Sequence, residues 1–209
     1  MSDAVNAKCS SFSRGPAQDE ADNRNPRLRN SDMQSNTSHP MTAIVYSDGP
    51  RFETVLREVT AAMADQGMRL AGLVQHSRSN PDRRKCDMLL QDLAMGELHL
   101  ISDDRGAHAS GCVLNTDRLL RACETAQAGL SDRTDLLVLC KFGKAEAEGG
   151  GFRTLIAKAL ELSVPVLIGV PLINLSPFRE FSAGFAREID VTEFGTDWRP
   201  VAADLAPQI

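Results

Sequence analysis

From Thr42 onward, apolar residues recur in two alternating rhythms, one of strands and one of helices. Thr42 to Tyr46 is a short β-prone run. A turn follows at Ser47-Asp48-Gly49-Pro50, and Phe52, Val55, Leu56, Val59 and Met63 then repeat at helical spacing, with Gly67 closing the helix. A second strand is predicted over Leu70 to Gln75. Strand, turn, helix and strand in this order form a parallel crossover unit.

The middle of the chain follows a different pattern. Asp87 to Leu93 and Glu97 to Ile101 alternate in polarity around Ala94-Met95-Gly96, which predicts a β-hairpin inserted in the α/β core. A helix is expected from about Asp117 to Ala128, with Thr116 as its N-cap. Leu136 to Cys140 is a continuous apolar run of the kind buried on both faces of a sheet. After Gly149-Gly150-Gly151 come a helix carrying Phe152, Leu155, Ile156, Ala159 and Leu160, then a buried strand from Val164 to Val170. Ser176 as N-cap and Pro177 at the first helical position predict a last helix, with Phe178, Phe181 and Phe185 on one face. The alternation predicts an α/β fold: a three-layer sandwich around a mainly parallel sheet with an inserted β-hairpin.

Residues 1–40 are rich in Ser, Asn, Asp, Arg and Gln, and they hold too little apolar surface to offset the entropy of ordering them. They read as a disordered tail ahead of a single domain over residues 41–209, and Met41 is a candidate start of the expressed chain. Lys8, Arg14, Arg24, Arg27 and Arg29 balance Asp3, Asp19, Glu20, Asp22 and Asp32, so the net charge of -5 falls on the domain. That balance gives no general attraction for nucleic acid or an anionic membrane, and any anion site has to be local. The five cysteines are odd in number and include no C-x-x-C pair, which favours reduced thiols. No apolar run approaches the ~20 residues that span a bilayer, and the N-terminus lacks a signal-peptide core. A cytoplasmic protein is the expectation.

Ligands of α/β sheets bind beyond the carboxyl ends of the strands, so chemistry is sought at the turn after the first strand. A Walker A loop needs G-x-x-x-x-G-K-[ST], whose backbone N–H groups surround phosphate, whose Lys neutralises it and whose hydroxyl ligates magnesium. Here only Gly49 fits a glycine position, no Lys follows it, and Thr54 lies within the helix. Arg51 and the helix start are candidate anion contacts, whose plain alternative is a tight turn with a solvated Arg. Asp48 opposes a phosphate unless a metal or proton intervenes. The later buried strand ends in Cys140-Lys141, where a metal-dependent phosphatase places a carboxylate. Lys141 and Lys144, with Gly143 and with Arg153 on the next helix, form a candidate oxyanion cluster. The alternative is a solvated loop in which the lysines balance Glu146 and Glu148. Cys140 beside Lys141 is a candidate thiol, although buried cysteine is more often inert packing. His39, His76, His99 and His108 show no metal-ligand spacing. Arg83-Arg84-Lys85 reads as a solvated basic loop.

Several segments together resemble a bacterial domain family of unknown function found near molybdenum-transport genes, itself similar to the THEP-type nucleoside-triphosphatases. They are Gly72-Leu73-Val74-Gln75, Cys86-Asp87-Met88, Asp92-Leu93-Ala94-Met95-Gly96-Glu97, Gly111-Cys112-Val113-Leu114, and Asp135-Leu136-Leu137-Val138 leading to Lys141-Phe142-Gly143-Lys144-Ala145-Glu146. The resemblance covers residues 41 to about 189 and implies a P-loop-NTPase-like fold. In THEP-type enzymes the corresponding strand ends in an Asp-Glu pair, followed by a Gly-Lys-x-Glu segment. Gly143, Lys144 and Glu146 match that segment, while Cys140 and Lys141 stand in place of the acids. The family context implies molybdate as a ligand.

The resulting expectation is a degenerate, non-hydrolytic binding protein for a nucleotide or an oxyanion such as molybdate. Its ligand contacts are sought among Asp48, Gly49, Arg51, Lys141, Gly143, Lys144 and Arg153, with no metal site. Two alternatives are a residual nucleoside-triphosphatase, in which Glu146 or Asp48 supplies the metal contact and general base, and a regulatory or adaptor module that binds a molybdenum-pathway protein.

Overall fold

A computed structural model of the chain describes residues 39–79, 86–103 and 113–191. Nearly all of the expected tail, Arg83-Arg84-Lys85, His108, Gly111-Cys112 and the segment after Val191 lie outside the described residues.

The apolar run MTAIVY forms β1 (Met41–Tyr46), buried throughout except at Thr42. Only Ser47 and Asp48 separate it from α1 (Gly49–Asp65), which turns Phe52, Leu56, Thr60 and Met63 inward. Then come β2 (Leu70–Ser79), β3 (Cys86–Asp92), β4 (Leu98–Leu100), and a small ribbon of β5 (Ser102–Asp103) and β6 (Val113–Leu114). They are followed by α2 (Thr116–Gly129), the fully buried β7 (Leu136–Leu139), the short α3 (Lys144–Ala147) and α4 (Arg153–Glu161). Last are β8 (Val166–Pro171), a 3-10 turn (Leu172–Asn174), α5 (Leu175–Ser182) and β9 (Ala186–Asp190).

Seven strands form one sheet in the order β4-β3-β2-β7-β8-β1-β9. The pairs from β2 through β7, β8 and β1 to β9 are parallel, and β3 and β4 extend the sheet antiparallel at one edge. This is the expected mainly parallel α/β sheet with its hairpin. β2 runs past its predicted end because it serves two partners. Leu70 to Leu73 pair with β7, and Leu73 to Ser79 pair with β3. Gln75 therefore sits just beyond the parallel part of the sheet. α1 and α2 pack on β2, α4 and α5 on β8, and α2 on α4. The core between them includes Leu73, Leu137, Leu139, Leu155, Ile156, Leu167 and Ile168, all under 2% exposed. Each such side chain contributes about 1.5–3 kcal/mol through burial.

Several local expectations change. α2 is capped by Asn115, whose Oδ1 accepts the Arg118 N–H at 2.9 Å, and Thr116 is its first helical residue. Asn115 prevails because its amide also donates to Asp103 of β5 at 2.8 Å. α5 starts at Leu175 behind Asn174, so Pro177 lies at its third position and Ser176 is not its cap. Phe185 falls beyond that helix and is 66% exposed, whereas Phe178 is buried. Lys144 begins a helical turn that the sequence read as loop.

Candidate functional site

The carboxyl ends of β1, β2, β7 and β8 meet along one edge of the sheet, where a strand-to-helix turn can present backbone donors. After β1 that turn is only two residues long. The Asp48 side chain caps α1 by accepting the Arg51 N–H at 3.1 Å, and Pro50 has no N–H to offer. Tyr46, at the end of β1, and Phe52 of α1 stack with ring centroids 4.0 Å apart and planes 7° from parallel. Phe52 reaches this position over Gly169 of β8, where a Cβ would lie 2.4 Å from its ring. Beside the stack is a cleft of about 220 Å³ lined by Tyr46, Gly49, Glu53, Gln75, Cys140 and Lys141, among others. Burial, with Cys140 and Glu53 adding to it, raises the Tyr46 phenol far above its usual range.

The chain leaving β7 is fastened at alternate residues. Cys140 N–H donates to Leu73 O at 2.9 Å, and Phe142 N–H donates to Gly169 O at 2.7 Å. The Phe142 ring is fully buried, 5.3 Å from Phe178 and 5.4 Å from Phe181, and Asn174 Nδ2 donates to its carbonyl at 2.9 Å. Lys141 lies between these two anchors. Burial pushes the Cys140 thiol up to about 12, only partly offset by Lys141, so it stays protonated at neutral pH.

The segment after Lys141 is organised by Glu146, a carboxylate only 3% exposed. Its Oε2 accepts Gly143 N–H at 2.7 Å, its Oε1 accepts Phe152 N–H at 2.9 Å, and its carbonyl accepts Arg153 Nε at 2.5 Å. Gly151, at φ +59°, lies against this carboxylate, and a Cβ there would sit 1.9 Å from Oε1. The Arg153 guanidinium stands 4.7 Å from the centre of the Phe181 ring. Lys144 is exposed, with Nζ 3.5 Å from Glu148 Oε1. A second cavity, of about 350 Å³, opens on this segment.

Of the residues singled out from the sequence, Lys141 lines both cavities, Gly49 the first, and Gly143, Lys144 and Glu146 the second. Asp48, Arg51 and Arg153 line neither. The structure adds Gln75, Met88, Leu119, Ile173 and Asn174, which reach the second cavity from β2, β3, α2 and the turn after β8. Gln75 and Met88 carried a signal, since they belong to the Gly72-Leu73-Val74-Gln75 and Cys86-Asp87-Met88 segments. Leu119, Ile173 and Asn174 carried none. Among the described residues, no group of three or more His, Cys, Asp or Glu is placed to hold a metal ion, and no helix is long and apolar enough to cross a membrane.

Residues 41–198 match the model of the family described as Protein of unknown function (DUF2478). The chain belongs to this family. It is also 30% identical over 146 residues to the Molybdenum import ATP-binding protein ModC 2 of Bradyrhizobium diazoefficiens. That match covers 69% of this chain and 16% of the Bradyrhizobium protein, so the chain spans a small part of that relative's length. Among solved structures, THEP1 from the hyperthermophile Aquifex aeolicus aligns with a TM-score of 0.48 and 16% identity, over 78% of this chain and 95% of that one.

Proposed function

We propose that this family member is a P-loop-like domain that binds a nucleotide or an oxyanion without hydrolysing it, the anion held by Lys141 with Lys144. The observation that carries this reading is the place of Lys141. It is a cation at the carboxyl edge of a parallel sheet, fixed between two hydrogen-bonded residues and facing both cavities. Three features speak against hydrolysis. The two-residue first turn leaves no phosphate-wrapping loop, Cys140-Lys141 stand where a metal-holding acid belongs, and both Glu146 oxygens are occupied by backbone N–H groups. The molybdenum in the name of the Bradyrhizobium relative makes molybdate the first oxyanion to try.

A thermal-shift panel tests the proposal, comparing nucleotides with and without magnesium against molybdate, tungstate and sulfate. A magnesium-independent rise in melting temperature is expected from at least one anion, with no phosphate release from nucleoside triphosphates. Magnesium-dependent phosphate release that disappears in Glu146→Ala would instead establish a residual nucleoside-triphosphatase. A second reading draws on the Bradyrhizobium relative, in which the matching segment is part of a much longer chain. On that reading this domain is an adaptor for a molybdenum-pathway protein. Co-purification with such a partner, together with indifference to every anion in the panel, would favour it.

A further inference from the structure

We infer that the ligand of this edge is an organic anion with an apolar body, and that a bare inorganic oxyanion is at most a weak substitute for its charged end. The inference rests on the anion-binding reading above and decides between the ligand classes it allows.

The second cavity, about 350 Å³, falls within the range of roughly 300–1,000 Å³ usual for small-molecule sites. Its walls are mostly hydrocarbon: Met88 and Leu90 from the hairpin, Leu119 from α2, Phe152 before α4, and Ile173 after β8. It adjoins a further groove of about 520 Å³, with Leu114, Leu119, Lys144 and Ala145 lining both. The charges in the cavity lining are the cations Lys141 and Lys144 and one carboxylate, Glu146, whose oxygens are both committed to backbone N–H groups.

A small inorganic oxyanion is held by converging N–H and guanidinium donors on several sides. Here two lysines supply charge, and the remaining surface would stay wet and unused. Ile173 at 88% exposure and Leu114 at 39% leave apolar carbon open to water at the cavity lining, as expected of a surface that a ligand covers. The smaller cleft beside Tyr46 suits an anion less well, because Glu53 lines it. Charge complementarity therefore places the anionic end at Lys141 and Lys144, with the apolar body against Met88, Leu119 and Ile173.

The probe is 8-anilinonaphthalene-1-sulfonate, an aromatic body carrying one sulfonate, titrated by fluorescence into the full chain. One saturable site is expected. Lys141→Gln and Ile173→Asp should each weaken binding about tenfold or more. Lys141→Arg should retain it, and Phe185→Asp, which removes an exposed aromatic outside the cavity, should leave it unchanged. Melting curves of all variants accompany the titrations, and Ile173 is exposed enough for Ile173→Asp to fold. Molybdate and phosphate should displace the probe only at far higher concentration. If molybdate or phosphate binds while the probe does not, or if the probe ignores both Lys141→Gln and Ile173→Asp, the organic-anion inference falls and the anion-binding reading stands. Equal loss in Phe185→Asp would mark unspecific surface binding and also overturn it. If neither the probe nor any nucleotide nor any inorganic anion binds, both are wrong.

Discussion

Glu146 is buried without a cationic partner within 4.0 Å among the described residues, and backbone N–H groups stabilise its charge instead. Removing the carboxylate in Glu146→Ala leaves those donors unpaired, which costs about 2–4 kcal/mol. Gly151→Ala places a methyl group against the same oxygen at a backbone angle that disfavours side chains, costing about 1–3 kcal/mol. Urea unfolding of both variants checks these values, and a loss under 0.5 kcal/mol, the ~0.5 kcal/mol scale of an ordinary surface substitution, would show that the loop is held by other contacts. The thiols give a pH signature. Burial raises Cys123 and Cys140 from the ordinary value of 9.0 to about 12 in the folded chain. The folded state thus keeps its protons where the unfolded state sheds them. Stability from this source is complete below pH 9 and is lost as pH rises from about 9 towards 12. In denaturant melts, Cys140→Ala should show a shallower decline over that range than the parent chain. Iodoacetamide at pH 8 should modify both thiols only after unfolding.

At the scale of elements, the structure sorts what periodicity could and could not reveal. β1, β7 and β8 were legible because strands buried on both faces read as unbroken apolar runs. β9 was not, because it is an edge strand in which only Ile189 is buried, so it shows no apolar run. The hairpin was legible from its alternation, and Asp92 fixes its turn by accepting the N–H groups of Ala94 and Met95 at 2.8 and 3.1 Å. Caps were misplaced by one or two residues, since the choice between Asn115 and Thr116 depends on Asp103 across space. The fit of α1 to the sheet depends on Gly169 admitting the Phe52 ring. Gly169→Ala forces that ring aside and should cost about 1–3 kcal/mol, visible as a lowered urea midpoint with an unchanged slope. The starts of β2 and β7 are joined by Arg69 and Asp135, with Arg69 Nη2 2.6 Å and Nε 3.1 Å from the carboxylate. The guanidinium lowers the Asp135 carboxyl from 3.8 to about 2. Its contribution is therefore present above pH 3.8 and is lost as pH falls towards 2. Asp135→Asn should remove that portion of the acid sensitivity in unfolding curves taken from pH 5 to pH 2.

For the whole molecule, the site was only half legible. Lys141, Gly143 and Lys144 stand within four residues of one another and could be noticed as a group. The wall they face comes from Gln75, Met88, Leu119 and Ile173, residues of four separate segments that only the folded sheet and its connections bring together. Apolar residues placed to meet a ligand look, in one dimension, like residues placed to meet a core. The Tyr46–Phe52 stack was equally hidden, because both rings read as ordinary strand and helix positions. It nevertheless matters to the functional reading, since both rings line the cleft at the end of β1. What remains at that edge is a fixed lysine beside an apolar cavity. The most direct measurement is a calorimetric titration of anions, nucleotides and molybdate included, into the parent chain and Lys141→Gln in buffer containing a magnesium chelator. Saturable heat from at least one anion, weakened about tenfold in Lys141→Gln, is the expected result. Heat that appears only when magnesium replaces the chelator, or that is the same in both proteins, would contradict a metal-free anion site at Lys141.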